Sequence, residues 1–121
     1  MMHRSLRGTL AGFVVLGGLF LGPPPNLTGY PNSMASLGDS ITRAFNTGGV
    51  PLTDAPGNSW STGTRTFVQS HYVRILAADP AILERNLNDA KSGAKMVDLD
   101  AQVSTATEQN VAYITILIGA N

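Results

Sequence analysis

At 121 residues the chain holds one domain at most. Eight basic residues balance eight acidic ones and are scattered singly, which excludes the basic footprint of a nucleic-acid binder. No cysteine is present, so disulfides, thiolate catalysis and cysteine-ligated zinc are excluded; the two histidines, His3 and His71, are too few and too far apart for a metal site.

Residues 1–25 read as an export signal or membrane anchor. Met1 to Arg7 is a short basic start, residues 9–21 are almost wholly apolar, and Gly22-Pro23-Pro24-Pro25 breaks any helix. The apolar run is shorter than the ~20 residues of a usual membrane span. No A-x-A pattern marks a cleavage point, so a cut signal, a retained anchor and a wrongly chosen start codon all stay open. Either of the first two places the body outside the cytoplasm, secreted or extracytoplasmic, with membrane contact through residues 8–22 if the segment is retained. Residues 26–32, rich in Pro, Gly and Asn, read as a linker.

The folded part is residues 33–121. A first strand is predicted at 33–37, and a helix begins at 41–45. Residues 46–63 collect Gly, Pro, Asn, Thr and Ser around Trp60 and form a long loop, a length that usually means function or mobility. Phe67, Val68, Tyr72, Ile75 and Leu76 stand at helical spacing, predicting an amphipathic helix over 66–78 that Asp79-Pro80 stops. Residues 82–88 read as a short strand and 90–93 as a turn. Met96, Val97, Leu99 and Val103 predict a helix over 94–103. The run V-A-Y-I-T-I-L-I at 111–118 is β-branched and nearly continuous, the pattern of a strand buried on both faces. The order β-α-α-β-α-β predicts a parallel sheet with helices packed on its faces.

Each strand ends in a chemically suggestive turn. Leu37-Gly38-Asp39-Ser40 follows the first, Asn88-Asp89-Ala90-Lys91-Ser92-Gly93-Ala94 the second, and Leu117-Ile118-Gly119-Ala120-Asn121 the third. Parallel α/β sheets bind their ligands at this end, and Gly38 suits a tight turn. In kind, order and approximate separation, the three blocks over residues 33–121 resemble the conserved blocks of the SGNH hydrolases, the GDSL esterase/lipase family. Ile41 stands where the family's short name has Leu, and the run G-D-S-I-T-R-A-F-N is similar to the secreted bacterial branch. Gly-x-Ser-x-Gly is absent, so the nucleophile elbow of ordinary α/β-hydrolases is not implied.

The resemblance implies an α/β, flavodoxin-like parallel sheet with helices on both faces, truncated after the third strand. It implies a serine esterase acting on small-molecule, lipid or glycan esters through an acyl-enzyme, with no cofactor and no metal. Ser40 falls at the family's nucleophile, its own N–H entering the oxyanion hole. Gly93 falls at the glycine that donates a backbone N–H to that hole, and Asn121 at the asparagine that donates its side-chain amide. Each has a plainer role available: Ser40 as a helix cap, Gly93 as a turn glycine, Asn121 as a residue with no role.

Asp39 adjoins Ser40 and so cannot orient a separate histidine; its expected work is bonding turn amides. His71 reads as a surface histidine on its helix. Trp60 either lines an acyl or sugar pocket or caps the core. The family's D-x-x-H block and the Asp that follows its Gly-x-Asn asparagine are both missing. The sequence therefore reads as an amino-terminal fragment, expected by itself to have little or no esterase activity, because serine without a base is a poor nucleophile. The alternative is a non-catalytic remnant binding an acyl or glycan ligand at the cell surface. A nucleotide-binding module is disfavoured by the absence of Gly-x-Gly-x-x-Gly and of a P-loop lysine. Nothing in the sequence specifies an oligomeric state.

Overall fold

The computed structural model describes residues 29–121; the expected export segment and most of the linker lie outside the described residues. Three strands form one parallel sheet: β1 (Met34–Gly38), β2 (Asn86–Asn88) and β3 (Tyr113–Leu117), in the order β2-β1-β3. Two helices complete the domain, α1 (His71–Ala78) and α2 (Leu99–Glu108). The described residues form a small α/β domain whose parallel sheet and flanking helices are consistent with a flavodoxin-like arrangement.

Central β1 is buried along its whole length, and its alternation builds two cores. Met34 faces Tyr72 and Ile82, with Val73, Ile75 and Leu76 of α1 packed around them. Ala35 and Leu37 point the other way, against Ala106 and Leu99 of α2. Burying both faces of β1 therefore requires a helix on each side.

Several predicted bounds shift for local backbone reasons. The helix expected to begin at Ile41 is a single turn, closed by Arg43 N–H to the Asp39 carbonyl (3.1 Å) and Phe45 N–H to the Ser40 carbonyl (2.9 Å). Ala44 (φ 52°) and Asn46 (φ 62°) then turn left-handed, which no α-helix tolerates. Helix 66–78 is split: a 3₁₀ turn at Thr66–Val68 ends at left-handed Gln69, and α1 starts afresh where buried Ser70 accepts from Val73 N–H. Strand 82–88 shrinks to Asn86–Asn88, because Pro80–Ile82 forms a 3₁₀ turn and Glu84 has φ 60°. The third helix runs later than 94–103, from a 3₁₀ turn at Met96–Asp98 through α2.

The apolar strand is correctly placed, but it is an edge among the described residues. Ile114 and Ile116 are 38% and 51% exposed, so the expected burial on both faces is not met.

The long loop is held against the α1 face of the sheet by buried hydroxyls. Thr62 Oγ1 pairs with Ser36 Oγ (3.1 Å) and accepts from Asn88 Nδ2 (3.1 Å); Ser61 Oγ pairs with Thr115 Oγ1; and Asn86 Nδ2 donates to the Thr62 carbonyl (2.7 Å). These bonds join 61–62 to all three strands. The same loop caps α1, for His71 and Tyr72 donate their N–H groups to the carbonyls of Trp60 and Ser61.

Candidate active site

Parallel pairing brings the three strand-end turns to one edge of the sheet. Ser40 lies two residues after β1, Gly93 follows β2, and Asn121 follows β3. The turns are bonded to one another. Lys91 N–H donates to the Gly38 carbonyl (3.1 Å), and Ala120 N–H donates to Asp39 Oδ2 (3.3 Å). Asn121 Nδ2 donates to the carbonyl of Ala94, Gly93's neighbour (3.1 Å), and Thr42 Oγ1 donates to the Leu117 carbonyl (3.3 Å).

Asp39 is fully buried, and its two oxygens do separate jobs. Oδ1 accepts from Ile41 N–H (3.0 Å) across its own turn, and Oδ2 reaches the turn after β3. The expectation that Asp39 bonds turn amides therefore describes its contacts.

Ser40 is half-buried, while Gly93 and Asn121 are exposed. Among the described residues, the Ser40 hydroxyl and the N–H groups of Ser40 and Gly93 donate to no protein acceptor. The Asn121 amide carries two N–H donors, and the bond to Ala94 occupies one. The plain capping role weighed for Ser40 has no helix to serve, since no helix follows it. Gly93 has φ +83°, as a turn glycine should, with open space where a side chain would stand.

Two shallow cavities adjoin these residues without merging. One of about 360 Å³ is lined by Asp89, Lys91, Ser92, Gly93, Ala101, Gln102 and others of α2, and one of about 270 Å³ by Ser40, Ile41, Ala44, Phe45 and Thr47.

Two groups of contacts brace the site. Arg43 Nε donates to Asp54 Oδ2 (3.0 Å), and Ser92 Oγ donates to Asp54 Oδ1, so the loop carboxylate ties the Ser40 turn to the Gly93 turn. The Ser92 hydroxyl holds the Asp54 carboxyl below its ordinary 3.8 against the opposing effect of burial, and Arg43 adds to the lowering through its hydrogen bond and its charge. The second brace is Gln102 of α2, 7% exposed, whose side-chain amide grips the Gly38 peptide groups. Gly38 N–H donates to Gln102 Oε1 (2.7 Å), and Gln102 Nε2 donates to the Gly38 carbonyl (2.9 Å).

Sequence reasoning passed over both braces. A signal for Gln102 was available, since it stands on the stripe of Leu99 and Ala106, a polar residue in a core-facing position. Nothing comparable marked Asp54.

His71 is exposed, as expected, and stands at the other end of the sheet. Its Nδ1 pairs with Tyr113 Oη (2.8 Å), its ring stacks on Tyr113, and the Trp60 ring meets it edge-on. Tyr113 opens β3 opposite Met34, whereas Leu117 closes it opposite Gly38, so about 13 Å of strand separates the histidine's anchor from the candidate site. Trp60 lines a cavity of about 590 Å³ there with His71, Arg74 and Tyr113. Among the described residues, no cluster of three His, Asp or Glu side chains could hold a metal, and no helix is long and apolar enough to cross a membrane.

Comparison with protein-family models, curated proteins and solved structures finds no match for this chain.

Proposed function

We propose that the chain carries the nucleophile and oxyanion-binding turns of an SGNH-type serine ester hydrolase. One observation carries the reading. Three strand-end turns are fastened to each other by hydrogen bonds, yet the Ser40 hydroxyl and the N–H groups of Ser40 and Gly93 are left without protein partners.

Ser40 is half-buried and Gly93 exposed, so a ligand can reach these donors. Donors carried on turns bonded to one another and left open suit a charge that develops only during reaction. In this reading Ser40 Oγ attacks the carbonyl carbon of an ester. The carbonyl oxygen becomes an oxyanion, held by Ser40 N–H, Gly93 N–H and the second Asn121 Nδ2 hydrogen. Each such donor is worth about 3 kcal/mol of barrier. The alcohol departs, and water attacks the acyl-enzyme to release the acid. The hydroxyl proton passes to a base and is returned to the departing alkoxide; His71 is too remote to be that base. Esters of small molecules, lipids or glycans all fit the chemistry.

The second reading, a non-catalytic chain that binds an acyl or glycan ligand, draws support from the distance of His71. One experiment separates the two. A fluorophosphonate phosphonylates an activated serine: the Oγ–P bond forms, the P–F bond breaks, fluoride leaves, and the proton goes to solvent. At alkaline pH hydroxide stands in for the base, and peptide mass spectrometry locates the adduct. Ser40 reacting well ahead of the other serines upholds the hydrolase site. Ser40 reacting no faster than they do removes it.

A further inference from the structure

We propose that Gln102 is a positioning residue for Ser40, acting through the Gly38 peptide groups; this rests on Ser40 being the nucleophile. β2 ends at Asn88, opposite Ser36, two residues short of Gly38. Beyond that point the chain after β2 still bonds the Gly38 carbonyl, through Lys91 N–H (3.1 Å), but offers no backbone acceptor to Gly38 N–H. The carboxamide of Gln102 supplies one donor and one acceptor there, as a further peptide unit would, at 2.7 and 2.9 Å and with the side chain 7% exposed.

Gly38 has little room to answer any change. Its φ is +146°, and a Cβ would run into the Leu117 carbonyl oxygen and lie 2.6 Å from Thr42 Oγ1. Gln102 therefore holds the last peptide groups before the Asp39-Ser40 turn against a wall formed by β3. A displaced Gly38 carries Ser40 Oγ and the Ser40 N–H with it. The same helix lines the cavity beside Gly93, through Ala101, Gln102 and Thr105. One element thus sets the Ser40 donor and shapes the approach to the Gly93 donor.

Gln102→Glu tests this without removing bulk. An ionised carboxylate still accepts from Gly38 N–H but repels the Gly38 carbonyl. A protonated carboxyl donates to that carbonyl and restores both bonds. Burial among peptide groups raises the carboxyl's pKa, so pH switches the side chain between the two forms. The readouts are the Gly38 and Ser40 backbone amide resonances of variant and unaltered chain between about pH 4 and about pH 7, across the carboxyl range, and the rate of Ser40 phosphonylation by a small ethoxy fluorophosphonate at about pH 9, where hydroxide stands in for the base.

The variant's Gly38 and Ser40 amide resonances are expected to move as the introduced carboxyl ionises, beyond any movement in the unaltered chain, and its alkaline phosphonylation is expected to be about tenfold slower, the factor for one lost hydrogen bond. Resonances that move no more than in the unaltered chain overturn the proposal, since lost packing alone does not follow pH, and so does an alkaline rate equal to that of the unaltered chain. A wild-type Ser40 no faster than the other serines defeats the site reading itself. If the variant does not fold, the unaltered chain decides. Phosphonylation of Ser40 is expected to shift the Gln102 side-chain amide resonances, and unmoved resonances overturn the proposal.

Discussion

Replacing Gly38 by alanine perturbs the point where β1, β3 and the Ser40 turn press together. The new Cβ would sit inside the Leu117 carbonyl oxygen and 2.6 Å from Thr42 Oγ1. Backbone cannot swing aside as the end of a long side chain can, so β1 must move away from β3. Overpacking of this kind costs about 1–3 kcal/mol. The φ of +146° adds about 1–3 kcal/mol for any residue with a Cβ. Together they come to about 2–6 kcal/mol, a large share of the ~5–15 kcal/mol that holds a small domain folded.

For a domain of this size each kcal/mol moves the midpoint by about 4–8 °C, so Gly38→Ala is expected to lower Tm by about 10 °C or more. The control is Gly93→Ala, which shares a positive φ (+83°) but meets nothing within 4 Å. Its cost is conformational only, about 1 kcal/mol. Thermal unfolding followed by far-ultraviolet circular dichroism compares the two. A Gly38→Ala chain no less stable than Gly93→Ala would refute the steric argument and the close approach of β3 to the turn.

Asp54→Asn probes the brace across the long loop. A folded-state pKa held below 3.8 means that Asp54 contributes stability above that value and loses it as pH falls through the folded pKa. The variant is expected to unfold at lower urea than the unaltered chain at neutral pH, with the gap narrowing as the pH is taken below 3.8. Asp39→Asn turns one acceptor into a donor facing an N–H in a fully buried site, and is expected to cost about 1–3 kcal/mol in urea unfolding. Thr62→Val strips the hydroxyl shared by Ser36 and Asn88 and is expected to cost a similar ~1–3 kcal/mol by the same assay. With His71 at the far end of the sheet, the purified chain is expected to hydrolyse p-nitrophenyl acetate no faster than its Ser40→Ala variant. Turnover lost on that substitution would show that a group other than His71 serves Ser40 as base.

The order of strands and helices, and the turns that close the strands, could be read along the chain because hydrophobic period and punctuation are local properties. The apolar run at 111–118 contains β3, the amphipathic pattern contains α1, and Ser40, Gly93 and Asn121 stand after strands as the pattern demanded. Where the reading failed, a single residue's backbone decided. Ala44, Gln69 and Glu84 are unremarkable in sequence, yet each takes a left-handed conformation that ends or splits an element. Glu84 N–H is held by Tyr72 Oη (3.1 Å), while Ala44 and Gln69 sit in local turns closed by the carbonyls of Ile41 and Thr66, and no propensity records these angles.

The candidate site divides in the same way. Residue types in spaced blocks identified Ser40, Gly93 and Asn121 as candidates. Only the packed chain decided that Asp39 reaches Ala120, that Asp54 bridges Arg43 and Ser92, and that Gln102 clasps Gly38 from 64 positions away. Contacts between residues so far apart depend on the sheet order β2-β1-β3 and on the face against which each helix settles. Those are settled jointly by the whole core, so a one-dimensional pattern could show which groups were available but not which ones would meet.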